Sequence, residues 1–424
     1  MIEKFTWTNP MPYDEEKGIL PLRDPFILKD GDAWFMTGTP PPYYLSKAAT
    51  RTKGVPLYKS TDLITWTFVD LILTTPDESE GKWYGDCYWA PELFCRNGKY
   101  YLTLNCCPAN DWKRTQHGHL LACADRIEGP YTVMNEEAPL RLGNDAHLFV
   151  DDDGQVYLSA TGIFLAKFDL DNARFLEKGD MPVHPIVGSD AWNGLHERVG
   201  MEGPYMMKHN GRYYMFYSTW TRGYDVGVAV ADSINGPWHM HPQPMYGAIT
   251  HERCKEFGGI YEEGYYESQA HCSECGHNCV FVGPDNEPWI AAHFYDYETG
   301  GPQLVIDKLA YDDERYLVSV NADGNIVNGP TYGKSELHYT PTVVTPVKAL
   351  DVWVYTCFGR GYTLPDQVDI LLSNDFRVCA NVTWHNAPAA PLSGGWHHVA
   401  GTAVYEGVSY DVTAHISVVR ESDF

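Results

Sequence analysis

Positive charge is scarce in this chain. Its 424 residues hold 31 Lys and Arg against 56 Asp and Glu, a formal net charge of -25. A basic face able to grip a phosphate backbone is therefore not expected, and nucleic acid is set aside as a partner. The acidic excess is spread along the chain rather than gathered in a tail, so it reads as a solubility feature. No stretch approaches 18 consecutive apolar residues, so no membrane span is expected. The opening residues, MIEKFTWTNP, show no basic segment leading into an apolar run. The expected location is cytoplasmic, or outside the cell if a leader has been removed.

Sustained helical periodicity is also missing. The 11 Cys are an odd number without framework spacing, two of them adjacent at Cys106 and Cys107. A domain this large needs no disulfide staples, so most read as reduced and buried. Gly258-Gly259, and Gly38 with Pro40-Pro41-Pro42, precede no helix and are turn punctuation rather than phosphate cradles. Ser218 and Ser233 lie in no nucleophile elbow, so serine hydrolysis is not indicated.

Aromatic residues are plentiful, at 14% with 29 Tyr and 13 Trp, and they recur in a pattern. Five segments run from an acidic, aromatic or histidine-bearing start through a turn into a second strand: RDPFILKDGDAWFMTG from Arg23, WAPELFCRNGKYYLTL from Trp89, NDAHLFVDDDGQVYLS from Asn144, MEGPYMMKHNGRYYMFYS from Met201 and GHNCVFVGPDNEPWIAAH from Gly276. Each is followed by another pair of strands around a polar turn, giving about four strands per copy. Such a repeat predicts a β-propeller with one blade per copy. A pair of six-stranded sandwiches would not explain five copies of one signature. Aligned on the turn, the residues opening the inner strands are Asp24, Trp89, Asp145, Glu202 and His277. Inner strands line the central channel, so these five should meet at one end of it.

Asn321 to Ala349 contains no copy of the repeat and reads as the propeller's closing strand followed by a linker. Beyond it, strand alternation with frequent turns predicts a small β-sandwich. Val382-Thr383-Trp384 and Gly395 to Gly401 resemble the paired motif strands of bacterial Ig-like modules. The predicted fold is all-β: a five-bladed β-propeller over 1–340, then an Ig-like β-sandwich over 345–424.

Three carboxylates, an aromatic ring and a histidine around one pocket suit the cleavage of a sugar. A glycosidic bond needs an acid on the leaving oxygen and a base or nucleophile across the anomeric carbon. Crowding Asp24, Asp145 and Glu202 raises the pKa of at least one of them.

In order along the chain, Arg23-Asp24-Pro25, Trp89-Ala90-Pro91-Glu92, Asp145 with Leu148-Phe149 and the Asp-Asp-Asp-Gly turn, Glu202-Gly203-Pro204 with Tyr213-Tyr214 and Tyr217-Ser218, and Gly276-His277 together resemble glycoside hydrolase family 43. These motifs span about residues 20 to 315. The resemblance implies that Asp24 is the base activating water, that Glu202 is the acid, and that Asp145 tunes the acid. It implies inversion at the anomeric carbon. It implies an exo-acting enzyme that releases terminal arabinofuranose or xylose from an oligosaccharide, because channels of this type are closed at depth. Candidate substrate contacts are Arg23, Trp89, His147 and Gln303. Two of these mark departures: Gln303 stands where the family usually has an arginine, and Ala146-His147 where Pro-Ser is commoner. Trp89 reads equally as a platform under the sugar or as a blade-packing residue.

No cofactor is required by this chemistry. The resemblance makes His277 the metal candidate, helping to hold a hydrated calcium ion; read from its position alone it is equally a histidine bonded to inner-strand backbone. Cys272, Cys275, Cys279 and His271 have zinc-ligand types, but no second CxxC accompanies them, and Cys279 should face the blade core. Two other classes stay open. A phosphorylase would need a basic pocket, and Arg23, Arg198 and Arg222 form no cluster in sequence. A non-catalytic carbohydrate-binding propeller would be expected to lose one of the three carboxylates.

Overall fold

The computed structural model describes residues 2–11, 13–43, 51–109, 111, 115–176, 184–185, 201–219, 224–241, 245, 272–296, 301–312, 316–327 and 329–423. Five antiparallel sheets follow one another in chain order, each opening on one of the predicted inner strands. Those inner strands are Arg23–Asp30, Asp86–Arg96, His147–Val150, Glu202–His209 and Cys272–Val282. Four sheets have four strands; the third carries an extra two-residue strand, His184–Pro185. The five-bladed propeller predicted from the repeat is thus the observed fold.

Local chemistry explains the hairpins. Asn97-Gly98 and Asn210-Gly211 both have positive φ at each residue, and they join the pairs Arg96–Lys99 and His209–Arg212. That is the two-residue turn whose twist matches antiparallel strands, and Asn-Gly tolerates its left-handed dihedrals best. Blades stack on one another, so their middle strands are apolar on both faces. Ala33–Thr39 and Asp225–Ala231 are buried along their whole length. One core cluster runs through blades five, one and two, from Ile306 through Met36 to Leu104.

The expected closing strand is corrected. Gly333–Tyr339 joins no blade but pairs with the N-terminal strand Glu3–Asn9 as a separate ribbon. Each blade already has its four strands in order, so no sheet has a vacancy. Instead Trp7 packs 5.1 Å from Trp289, and Asn9 Nδ2 donates to Ile306 O at 2.8 Å, both on blade five.

The C-terminal module is also corrected in detail. The expected linker already contains a strand, Pro346–Ala349, and all six strands form one sheet. In spatial order these are Pro346–Ala349, Gln367–Leu372, Arg377–Trp384, Gly395–Tyr405, Val408–Val419 and Val352–Cys357, the last pair parallel. Alternate residues such as Val368, Ile370, Val399, Ala403, Val412, Ala414 and Ile416 close one core. The sheet curls like a sandwich rather than dividing into two.

This module docks on the turn end of the propeller, where the inner strands finish. Asn97 N, Asp153 O, Asn210 N and Asn286 O bond to Asp369, Trp353, Asp375 and Asn374 at 2.8–2.9 Å. A cavity of about 520 Å³ lies between the inner strands and this module, lined by Phe26, Glu92, His147 and Tyr205 on the propeller side and by Phe376 and Arg377 of the module.

Candidate active site

Four of the five inner strands begin with a β-bulge. The ladder skips between Arg23 and Phe26, Trp89 and Glu92, Glu202 and Tyr205, and Gly276 and Cys279. In the third blade the same place falls just ahead of the ladder, which starts at His147. At this place in every blade one residue takes positive φ: Asp24 (50°), Ala90 (44°), Asp145 (62°), Gly203 (55°) and His277 (48°). A bulge kinks the strand and re-aims side chains, which is why bulges gather at functional rims. The non-glycine members are strained by about 1–3 kcal/mol each, which surrounding bonds must offset.

The bulges correct the repeat alignment by one residue in two blades. Asp24, Asp145 and His277 share the left-handed position with Ala90 and Gly203. Trp89 and Glu202 precede it, level with Arg23, Asn144 and Gly276. The three carboxylates do converge, but from two adjacent tiers. Gly203 carries no side chain for two reasons: its φ is positive, and a Cβ there would lie 3.1 Å from the His277 ring.

The strained backbone is satisfied by the preceding blade. The N–H of Ala90 donates to Thr39 Oγ1 (2.7 Å), that of Asp145 to Asn105 Oδ1 (2.8 Å), that of His277 to Ser218 Oγ (2.6 Å) and that of Asp24 to His293 Nδ1 (3.2 Å). Between blades three and four Asp145 itself serves, accepting from Gly203 N at 3.0 Å. In four of the five blades a polar residue near the end of the second strand thus latches the next blade's bulge, and every N–H at the bulge position of the ring has an acceptor.

Around this ring the three carboxylates meet different surroundings. Asp145 also accepts from Asn105 Nδ2 (3.0 Å) and Thr161 Oγ1 (3.3 Å). Asp24 accepts from Thr39 Oγ1 at 2.5 Å and lies 3.5 Å from His277 Nδ1 and 3.3 Å from His293 Nδ1. Burial works to raise the pKa of Asp24, but the charge of His277 and the nearby His293 and Arg23 outweigh it and hold the carboxyl well below its usual range. Glu202 goes the other way. Burial and the negative charge of Asp145 lift it to about 7, against the opposing pull of His277 and the Tyr224 hydroxyl. Tyr224 donates to Glu202 Oε1 at 3.0 Å, and its ring stacks on His293 at 5.5 Å. His277 is raised even though burial opposes its charge, because Asp24, Asp145, Glu92 and Glu202 surround it. One carboxylate held ionised and one held protonated near neutral pH is the division of labour that acid–base chemistry needs.

The other candidates separate. Arg23 lies on the pre-bulge tier with its guanidinium 5.6 Å from the Tyr295 ring. Trp89 is half-buried on the same tier, 4.8 Å from the His117 ring. Gln303, on the third strand of blade five, has a buried Oε1 with no hydrogen-bond partner among the described residues. His147 is corrected as a substrate contact. It lies one tier below the ring, with Nδ1 2.7 Å from Glu92 and Nε2 accepting from Met206 N at 2.9 Å. Both ring nitrogens are committed to the channel wall.

Of the four zinc candidates, His271 and the side chain of Cys272 lie outside the described residues. Cys275 and Cys279 are buried in blade five, and Cys279 Sγ accepts from Ile27 N at 3.2 Å. Arg198 and Arg222 also lie outside the described residues. Among the described residues no three His, Cys, Asp or Glu stand close enough to hold an ion directly. The buried polar atoms here without a hydrogen-bond partner among the described residues include His277 Nε2, His293 Nε2 and both amide atoms of Asn278, a set that suits an ion held through water better than one ligated directly.

Sequence reading missed Thr39, Asn105, Tyr224, His293 and Glu92. Four of them close the second strand of a blade or flank the ring, and a polar residue ending each repeat was the available signal.

Comparison with known proteins matches residues 19–316 to the model of glycosyl hydrolases family 43. A Xylosidase/arabinosidase 43A of Humicola insolens is 29% identical over 217 residues, covering 42% of this chain and 65% of the relative. An Extracellular endo-alpha-(1->5)-L-arabinanase 2 of Bacillus subtilis (strain 168) is 24% identical over 67% of this chain and 64% of its own length. The chain thus spans under two thirds of these relatives. Among solved structures, a thermostable family-43 glycoside hydrolase is 25% identical, with TM-score 0.55 over 77% of this chain and 98% of its own. The BlXynB protein of Bacillus licheniformis shares the fold across 96% of this chain and 83% of its own, with TM-score 0.56 at 15% identity.

Proposed function

The chain belongs to glycosyl hydrolases family 43, and from that premise we propose that it hydrolyses a terminal arabinofuranosyl or xylosyl bond, with Glu202 as acid and Asp24 as base. The observation that carries this reading is the opposed perturbation of the two carboxyls. Glu202, lifted to about 7, keeps a proton to give to the leaving oxygen. Asp24, held ionised by His277 and the nearby Arg23, can take a proton from water. Asp145 is fixed by Asn105, Thr161 and the Gly203 N–H, and its negative charge keeps Glu202 protonated. Tyr224 donates to Glu202 Oε1 and so fixes the orientation of the carboxyl that carries the proton.

Direct attack of water, with inversion, follows from Asp24 acting as base rather than nucleophile. A floor beneath the ring supports removal of terminal sugars. Tyr205 donates to Val280 O at 2.5 Å, His147 binds Glu92, and Phe26 packs 6.1 Å from the Tyr205 ring in that tier. Trp89 offers a partly exposed ring for a sugar face, and Gln303 Oε1 offers an acceptor. A calcium ion held through water by His277 and Asn278 would supply positive charge under the carboxylates. His277 itself, when protonated, lends Asp24 the same support.

The test is Glu202→Gln. The variant should lose about 10²–10⁴ in turnover on substrates with poor leaving groups while sparing aryl glycosides with good ones, since only the former need protonation. Equal losses on both would remove Glu202 from the acid role.

A further inference from the structure

At the base of the channel, two cysteines from different modules face each other. Cys95 lies near the end of the inner strand of blade two, and Cys379 lies in Arg377–Trp384 of the C-terminal sheet. Their Sγ atoms are 3.7 Å apart across 284 residues of chain. Both are free thiols, both are half-buried, and both line the 520 Å³ cavity. Among the other described cysteines of the propeller, Cys87, Cys106, Cys107, Cys275 and Cys279 are buried in the blades, and Cys123 stands on the third strand of blade two.

The approach is held from both sides. Gly98 N donates to Cys379 Sγ at 3.2 Å, and Asn97 N donates to Asp369 Oδ1 at 2.8 Å. Asp369 pairs with Arg96 Nη1 at 3.1 Å and with Arg377, which in turn donates to Cys95 O at 3.2 Å. Cys379 Sγ lies 3.5 Å from Asp369 Oδ1, so one carboxylate and two guanidiniums face the thiol pair. Arg96 and Asp369 are almost fully buried, and breaking either side would strand a charge. The two sulfurs are therefore kept in register by the interface itself rather than by chance proximity.

We propose that Cys95 and Cys379 are an oxidisable dithiol, a modification site that a disulfide-type oxidant such as glutathione disulfide converts into a bond between the propeller and the C-terminal module. A disulfide needs sulfurs about 2.0 Å apart, so the gap closes by under about 2 Å, within reach of side-chain rotation. The steps balance. Cys379, which receives the Gly98 N–H, releases its proton to water, and its thiolate attacks one sulfur of the oxidant. One glutathione leaves as thiolate and takes up a proton. Cys95 then gives its proton to water and attacks the Cys379 sulfur, expelling the second glutathione. Two protein thiols are oxidised by two electrons, and one glutathione disulfide is reduced to two glutathiones. The bond with the neighbouring Cys379 and burial raise the pKa of Cys95, so the second step is the slow one. Entry is provided by the cavity, whose lining runs out to the exposed Gly31.

The experiment treats the native full chain with glutathione disulfide, alkylates the remaining thiols under denaturing conditions and maps the peptides by mass. The expected result is one cross-linked peptide joining Cys95 to Cys379, lighter by two hydrogens, formed in the folded protein and not in denaturant. Cys379→Ser should give no cross-link. Both cysteines recovered alkylated, or each carrying glutathione with no link, would overturn the proposal. So would equal formation of the link in denaturant, since the fold would then play no part. The wild-type map alone decides between these outcomes, whether or not the variant folds.

Discussion

Glu202 should weaken the fold it serves, and that weakness can be measured. Its carboxyl rises from an ordinary 4.5 to about 7, first through burial and then through Asp145. Below pH 4.5 it is protonated both folded and unfolded, and nothing is lost. Between 4.5 and 7 the native state holds a proton that the unfolded chain has released, so stability falls as pH rises. Above 7 the full penalty is present, about 3 kcal/mol at 1.4 kcal/mol per tenfold change in proton affinity. Glu202→Gln keeps an oxygen to accept from Tyr224 and removes the charge. The variant should therefore be more stable than wild type at pH 8 by about 3 kcal/mol. Spread over an unfolding entropy of about 2 cal/mol/K per residue, that is a Tm gain of roughly 3–4 °C. Near pH 4.5 the gain should vanish. Paired thermal melts at the two pH values are the assay. No gain at pH 8, or an equal gain at both, would mean that Glu202 is not held protonated by its surroundings.

Asp24→Asn should cut turnover at least about a hundredfold while substrate still binds; near-normal turnover would place the base elsewhere. The wild-type rate should fall as pH climbs through about 7, because Glu202 loses the proton it donates; a basic limb several pH units higher would contradict that assignment. Asp369→Ala strands the buried Arg96 and should cost about 3–5 kcal/mol in denaturant titrations, with turnover of the folded fraction unchanged. A loss of turnover in that fraction would tie the C-terminal module to the chemistry. Chelator should lower activity only modestly, and elemental analysis showing one tightly held zinc per chain would overturn the water-bound, hard-ion reading of His277.

The repeat made the propeller legible because each blade is a local unit, with its strands consecutive in the chain and its turns written in Asn-Gly and acidic residues. Which residues meet at the mouth was legible for the same reason. The tier each one occupies was not. A bulge inserts one residue without changing composition, so Trp89 and Glu202 aligned with Asp24 and Asp145 when they actually precede that position. His147 looked like a neighbour of the substrate because it lies two residues past Asp145, but strand alternation carries it down to Glu92. His293, Thr39 and Asn105 were missed because each serves the next blade, a contact between repeats that no single repeat displays. The docking of the C-terminal sheet on the turn end was hidden in the same way. Asp369 reads as one more strand carboxylate until Arg96 and Arg377 are seen around it.

In the mechanism proposed above, Asp24 directs water onto the anomeric carbon while Glu202 releases the leaving group. Proton NMR of the first sugar released from an aryl arabinofuranoside or xyloside tests this most directly, read before mutarotation sets in. A single attack of water gives a first-formed anomer of configuration opposite to that of the substrate, and this is the expected result. A first-formed anomer of retained configuration would contradict it, because a covalent intermediate would then have to replace the single attack of water.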